Sequence, residues 1–297
     1  MENSLILRPC AKINLTMEVF QRRADGYHEV RSVLQSVSLR DRLILTPLPG
    51  RELEFSCDVP ELGGEDNLVM RAYRLLEARH PLGGVRMRLE KAIPCQSGMG
   101  GGSADCAGAL RGLCRLFGLE LPREELMALG AELGADVPAC LDGRPVLAEG
   151  IGEKLTPLEA GPPLELVILM PPAAFSTPEM YRRLDRREVL PSPVPLDGLI
   201  RGLAAGDPGA VAKGLCNHFE KTAPCGALIA GAKAALLSAG AVGASMTGAG
   251  AAVFGVFESA AAADRAADML RDGPCRSFRC RTLADAWETE DKRGETG

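Results

Sequence analysis

"IPCQSGMGGGSADCAGAL", residues 93–110, sets five glycines and two serines at the mouth of what reads as a helix. A chain gives up side chains at such a place when its main chain must come close to something. The first N–H groups of a helix have no partner within the helix, and its dipole is positive at that end, so the natural occupant is an anion. The competing explanation is a tight loop whose glycines serve only left-handed turns. Four glycines within 98–102, followed by Gly108, exceed what one turn requires.

Two phosphate loops are excluded. The Walker A pattern needs Gly-Lys-Ser/Thr at its end, and no lysine occurs between Lys91 and Lys154. The dinucleotide fingerprint needs a third glycine where Ser103 stands, and it should open the first βα unit of a parallel sheet. What remains is a third way to cradle a triphosphate, with the Ser103 hydroxyl available to phosphate or Mg²⁺.

The chain has 297 residues, enough for one large domain or two medium ones. Its 46% apolar and 25% charged residues are the mix of a globular protein with a core. A net charge of −5 disfavours a general nucleic-acid surface but leaves room for a local basic pocket. No apolar run is long enough to span a bilayer, and "MENSLILRPCAKIN" lacks a signal-peptide pattern, so the expected location is the cytoplasm. The ten cysteines include no C-x-x-C pair and no histidine at zinc spacing; they read as incidental thiols in a reducing compartment.

Along the chain, Ile13, Leu15, Met17 and Val19 alternate with Asn14, Thr16 and Glu18, the pattern of one half-buried strand. Lys12 and Asn14 then project from its polar face, away from the core. "RADGYH" follows as a turn. Residues 33–46 continue as strand, interrupted near Arg40-Asp41, and further strands are expected around 53–59 and 85–89. A helix should start near Asp66 or Asn67, one should follow the glycine loop to Gly118, and one should start with Pro122 at N1 and stop at Gly134. "PLEAGPP", 157–163, marks a boundary, giving expected domains of 1–160 and 161–287 and a disordered charged tail, 288–297. Beyond the boundary, "LELVILM" reads as a buried strand. Helical stretches are expected over 177–184, 207–219 and 226–239, before a second glycine cluster, "ASMTGAGAAVFGVF". Strands and helices without strict βαβ alternation indicate an α+β architecture in two parts.

"IPCQSGMGGGSA" resembles the phosphate loop of the GHMP kinases, "AKINLTMEV" resembles their first motif and "MTGAGAAVFGVF" their third. The resemblance implies a ribosomal-protein-S5-like N-terminal domain and a ferredoxin-like C-terminal α/β sandwich. "RRADGYHE", "GADVPACL", "AEGIGEKLTPL", "FSTPEMY" and "NHFE" narrow it to the branch acting on 4-diphosphocytidyl-2-C-methyl-D-erythritol, over roughly Pro9 to Val256. In that branch ATP phosphorylates the 2-hydroxyl of the methylerythritol unit, in the non-mevalonate isoprenoid pathway.

Phosphoryl transfer needs charge stabilisation and a positioned hydroxyl more than covalent help. The resemblance makes Lys12 and Asp136 the catalytic pair, with Asp136 either accepting the hydroxyl proton or orienting the hydroxyl. It places Asn67, Leu68 and Lys91 near adenine, and Pro94, Gly98, Gly100, Gly101, Gly102, Ser103 and Ala104 around the phosphates, with Ser103 also a Mg²⁺ ligand. For the substrate it implies Asn14, Tyr27, His28, Thr177 and Tyr181, the "GYH" segment taking cytosine. Thr247 and Gly248 either support the phosphate loop or line the substrate diphosphate. Ala104 stands where relatives often have a second serine, and Gln96 and Ser97 occupy places often filled by small apolar residues. Read this way, the protein is a monomer or weak homodimer with a small-molecule substrate, ATP and Mg²⁺, and no nucleic-acid or membrane partner. Three rival readings are another GHMP kinase, of homoserine or mevalonate type, a relative that binds nucleotide without catalysis, and an RNA-binding protein, which the acidic balance argues against.

Overall fold

The computed structural model describes residues 4–186 and 192–287. The expected tail, 288–297, lies outside them. The first half runs β1 (Leu5–Leu7), β2 (Cys10–Asn14), β3 (Thr16–Arg22), β4 (His28–Arg40), β5 (Arg42–Leu48), β6 (Leu53–Cys57), α1 (Leu68–Glu77) and β7 (Gly84–Glu90). It continues through α2 (Gly101–Phe117), α3 (Arg123–Leu133), α4 (Val137–Asp142), β8 (Val146–Gly150) and β9 (Lys154–Pro157). The second half runs β10 (Glu165–Met170), α5 (Thr177–Asp185), α6 (Asp197–Ala205), α7 (Pro208–Gly214), β11 (Cys216–Asn217), α8 (Gly226–Ser238), β12 (Gly243–Met246), β13 (Val253–Phe257), α9 (Ala260–Leu270) and β14 (Arg276–Arg281).

Three sheets result. One has the order β1-β5-β7-β6 and is covered by α1 and α2, whose apolar faces meet Leu43, Leu45, Val85, Met87 and Leu89. The second half supplies β12-β13-β10-β14, all neighbours antiparallel. Between them lies a six-stranded sheet, β11-β3-β4-β8-β9, with β2 on β4. Because side chains alternate along a strand, β10 sends Val167 and Leu169 into one core and Leu166 and Ile168 into another. A strand buried on both faces has no polar alternation, which is why "LELVILM" reads as an unbroken apolar run.

The structure corrects the first strand. It is two strands, broken at Leu15, and its polar face is not solvated: all five residues of β2 are buried, and Glu18 of β3 is wholly so. The second half covers that face. Glu18 is held there by Arg31 (Nε to Oε2, 2.7 Å) and by the amide of Val194 (2.7 Å). Two further differences are small. The helix expected over 207–219 ends at Gly214, because Cys216 and Asn217 pair with Thr16 and Met17 in β3. Pro122 is the N-cap of α3 rather than its first residue. Helices α4 and α6 were not expected; α4 is too short to show a period.

The last described residues return to the first half. Thr282 bridges Val37, Ala286 donates to Gly143 O (3.1 Å), and the single tryptophan, Trp287, is buried in the core beneath α2. Its indole N–H donates to Cys140 O (2.9 Å), and the Arg111 guanidinium lies 4.7 Å from its ring centre. Trp287→Ala should therefore lower stability by about 3 kcal/mol, through lost burial and an orphaned carbonyl, measurable by urea unfolding followed by circular dichroism.

Candidate active site

The glycine loop is held from two directions. From β2, the Lys12 amide donates to Met99 O (2.9 Å). From the segment between β12 and β13, the Ala252 amide donates to Ser97 O (3.0 Å). Glycine is required at two points of this contact. A side chain at Gly98 would strike Thr247 O at 2.2 Å, and one at Gly100 would strike Lys12 Cε at 2.8 Å. Both residues also have positive φ, +79° and +68°. Gly100 is the N-cap of α2 and provides no side-chain cap, so the first-turn amides of Gly101, Gly102 and Ser103 stay open to an anion.

Lys12 stands beside this entrance, 6% exposed, its stem against Gly100. Its ammonium bonds Asn14 Oδ1 (2.8 Å) and Gly98 O (3.2 Å) and pairs with Asp136 Oδ2 (3.2 Å). An ammonium has three donors, and these three partners fix it between loop and acid. Asp136 occupies the N-cap position of α4, yet its side chain makes no capping bond. The carboxylate is turned to Lys12 instead. Asn14 passes the constraint on, donating to Ser32 Oγ (2.7 Å), while its amide donates to Thr247 Oγ1 (3.0 Å).

A cavity of about 620 Å³ opens from this pair. Of the residues expected at the site, Lys12, Asn14, Tyr27, His28, Gly98, Ser103, Asp136, Thr177, Tyr181 and Gly248 line it. Its far end is aromatic. The turn before β4, closed by Arg23 N to Tyr27 O (2.6 Å) and Gly26 at φ +90°, presents Tyr27 at 61% exposure. His28 stacks on Tyr181 at 4.9 Å, and Tyr181 meets Phe219 edge-on. Burial, with Asp136 adding its charge, pushes the Tyr181 phenol up to about 12, so it stays neutral.

The other expected residues lie at the loop or behind it. Thr247 is fully buried and bonds Asn14 and the loop, while Gly248 lines the cavity. Asn67 caps α1, accepting from the Val69 amide (2.9 Å), and Leu68 Cδ1 borders Gly102. Pro94 is half-buried at the start of the loop, and Ala104 is buried in α2. The Lys91 ammonium lies against Gly101 but is bonded by two carboxylates, Asp41 and Asp105, at 2.5 Å each. Asp41 also accepts from the amides of Ala92 and Ile93. This group thus ties the strand leading into the loop to the helix leaving it.

Sequence reasoning missed Ser32, Arg22, Arg182 and Asp185 on the cavity wall, and Asn217, whose amide bonds Met246 O and Gly248 O. A usable signal existed for Asp185. Thr177, Tyr181 and Asp185 follow at intervals of four, one face of a helix.

The architecture and loop are those of a GHMP kinase. Residues 67–144 match the family model described as the GHMP kinases N terminal domain, and residues 199–274 match that of the GHMP kinases C terminal. The 4-diphosphocytidyl-2-C-methyl-D-erythritol kinase of Lachnospira eligens is 43% identical over 86% of this chain and 89% of its own. That of Symbiobacterium thermophilum is also 43% identical, over 92% and 98%. A crystal structure of 4-(cytidine 5'-diphospho)-2C-methyl-D-erythritol kinase superposes with a TM-score of 0.82 at 36% identity, covering 94% of this chain and 99% of that one. A homoserine kinase from Cytophaga hutchinsonii, 20% identical with a TM-score of 0.72 over 96% of each chain, shares the fold. The chain belongs to the 4-diphosphocytidyl-2-C-methyl-D-erythritol kinase family.

Burial pushes the Asp105 carboxyl up to about 8, against the pull of Lys91. The folded form therefore holds a proton that the unfolded carboxyl releases near its ordinary value of about 4. Stability falls as pH rises through that window and the loss is complete above about 8. Asp105→Asn removes the titration, so its stability relative to the parent should rise by about 2 kcal/mol between pH 6 and 9, read from thermal unfolding at both pH values.

Proposed function

We propose that this protein transfers the γ-phosphoryl group of ATP to the 2-hydroxyl of 4-diphosphocytidyl-2-C-methyl-D-erythritol, releasing ADP and the 2-phosphate, in the non-mevalonate route to isoprenoid precursors. The observation that carries the reading is the Lys12–Asp136 pair. It stands where the open end of α2 meets a cavity whose far wall is aromatic. The residues fit a polyphosphate: an uncapped helix entrance, glycines where a Cβ would collide, and an ammonium alongside.

Lys12 offsets the charge that develops on the transferring oxygens. Asp136 accepts the hydrogen bond of the 2-hydroxyl and so aims its oxygen at phosphorus; the proton leaves along that bond or to water. Asn14 and Ser32 hold the polyol side of the cavity, and Tyr27, His28 and Tyr181 take the cytosine. The Ser103 hydroxyl would hold Mg²⁺, which would supply neutralisation of the nucleotide's phosphate oxygens. Among the described residues no group of three or more His, Cys, Asp or Glu could hold a metal ion. The reading includes two domains meeting near residue 160, and a monomer or weak homodimer.

Purified protein should release ADP from Mg-ATP only with the cytidyl substrate, in a coupled assay. Equal turnover of mevalonate or homoserine would refute the assignment. Asp136→Asn should lower kcat by at least about a hundredfold while leaving the ATP dissociation constant within about twofold. Unchanged turnover would remove Asp136 from the mechanism.

A further inference from the structure

The cavity's aromatic end contains a contact that the phosphoryl-transfer chemistry does not use. His28 opens β4 and is 8% exposed, with one ring face on Tyr181. Its Nε2 lies 2.6 Å from Asp185 Oδ1, reached from the last turn of α5. Among the described residues, no hydrogen bond engages its Nδ1, and His28 lines the cavity.

We propose that Asp185 is a positioning residue that sets the hydrogen-bonding sense of His28 and so makes the pocket select cytosine over uracil. This rests on the functional reading above, in which the cytidine end of the substrate lies at Tyr27 and His28. An ionised carboxylate only accepts, so the 2.6 Å contact requires the imidazole proton on Nε2. In the neutral ring the other nitrogen is then a bare acceptor. A half-turn of the ring would keep its plane on Tyr181 but carry Nε2 away from Asp185, so the 2.6 Å contact holds the ring in this orientation. An acceptor fixed in the wall pairs with a donor, and the pyrimidine edges differ there. Cytosine offers its exocyclic amine, whereas uracil offers a carbonyl oxygen, which would face the nitrogen lone pair to lone pair. Pairing the wrong edge leaves both groups unsatisfied in a half-buried site, which corresponds to about tenfold or more in affinity.

Titration calorimetry with CDP and UDP tests this. The parent should prefer CDP by about tenfold or more. Asp185→Ala should bring the ratio to about threefold or less, with ATP affinity retained as the check on folding. Asp185→Asn, whose amide oxygen still accepts from Nε2, should keep most of the preference. The second readout needs no variant: long-range ¹⁵N–¹H spectra of the three histidines at about pH 8.5, above the ordinary imidazole range, should show His28 with its proton on Nε2. A full CDP preference in Asp185→Ala, or a His28 proton on Nδ1 in the parent, overturns the proposal. If the parent turns over the cytidyl substrate but Asp185 leaves selectivity unmoved, only this inference falls. If the parent neither binds CDP nor turns that substrate over, the functional reading falls and takes the inference with it.

Discussion

The structure depends on a main-chain contact more than on any side chain: the loop before α2 is gripped between β2 and the turn after β12. Met99 O receives the Lys12 amide, Ser97 O receives the Ala252 amide, and Gly98 fits against Thr247 with no room for a methyl group. Each segment in that grip also delivers residues that line the cavity. Holding the loop by β2 places Lys12 and Asn14; holding it by the later turn places Thr247 and Gly248. The geometry of the helix entrance and that of the acid–ammonium pair are thus one constraint, because Lys12 contributes its backbone to the first and its side chain to the second.

A second layer supports the first. The Lys91 ammonium, shared by Asp41 and Asp105, links the interruption between β4 and β5, the approach to the loop and the first turns of α2. Two carboxylates facing one ammonium leave one unit of negative charge in excess, which burial resolves by keeping Asp105 protonated over the ordinary pH range. A neutral Asp105 places no extra negative charge beneath a helix entrance suited to an anion.

Much of this was legible in the sequence, and the limits of legibility have physical causes. The loop announced itself because glycines at Gly98 and Gly100 are dictated by both φ and close approach. Asn67 and Gly118 revealed helix ends through their capping chemistry. The first strand misled because alternation of apolar and polar residues ordinarily means one wet face. Here the polar positions Lys12, Asn14 and Glu18 are buried against partners that lie far along the chain, such as Gly98, Thr247 and Val194. No local pattern encodes those partners. Helix α4 escaped notice because six residues cannot display a period. Asp185 shares a helical face with Thr177 and Tyr181, but its partner His28 lies 157 positions away.

The return of Trp287 to the first half has a consequence for synthesis. The core beneath α2 is built from residues made early, yet its indole is among the last described to leave the ribosome. The strand pair β3 and β11 carries the same demand, joining positions 16 and 216. An emerging chain can form its helices and local hairpins in order, but it cannot seal the early core or complete the central sheet until Trp287 and β11 have been made. Nucleotide-binding competence should therefore wait on those residues, and a nascent chain halted before Trp287 would leave apolar surface for chaperones to shield.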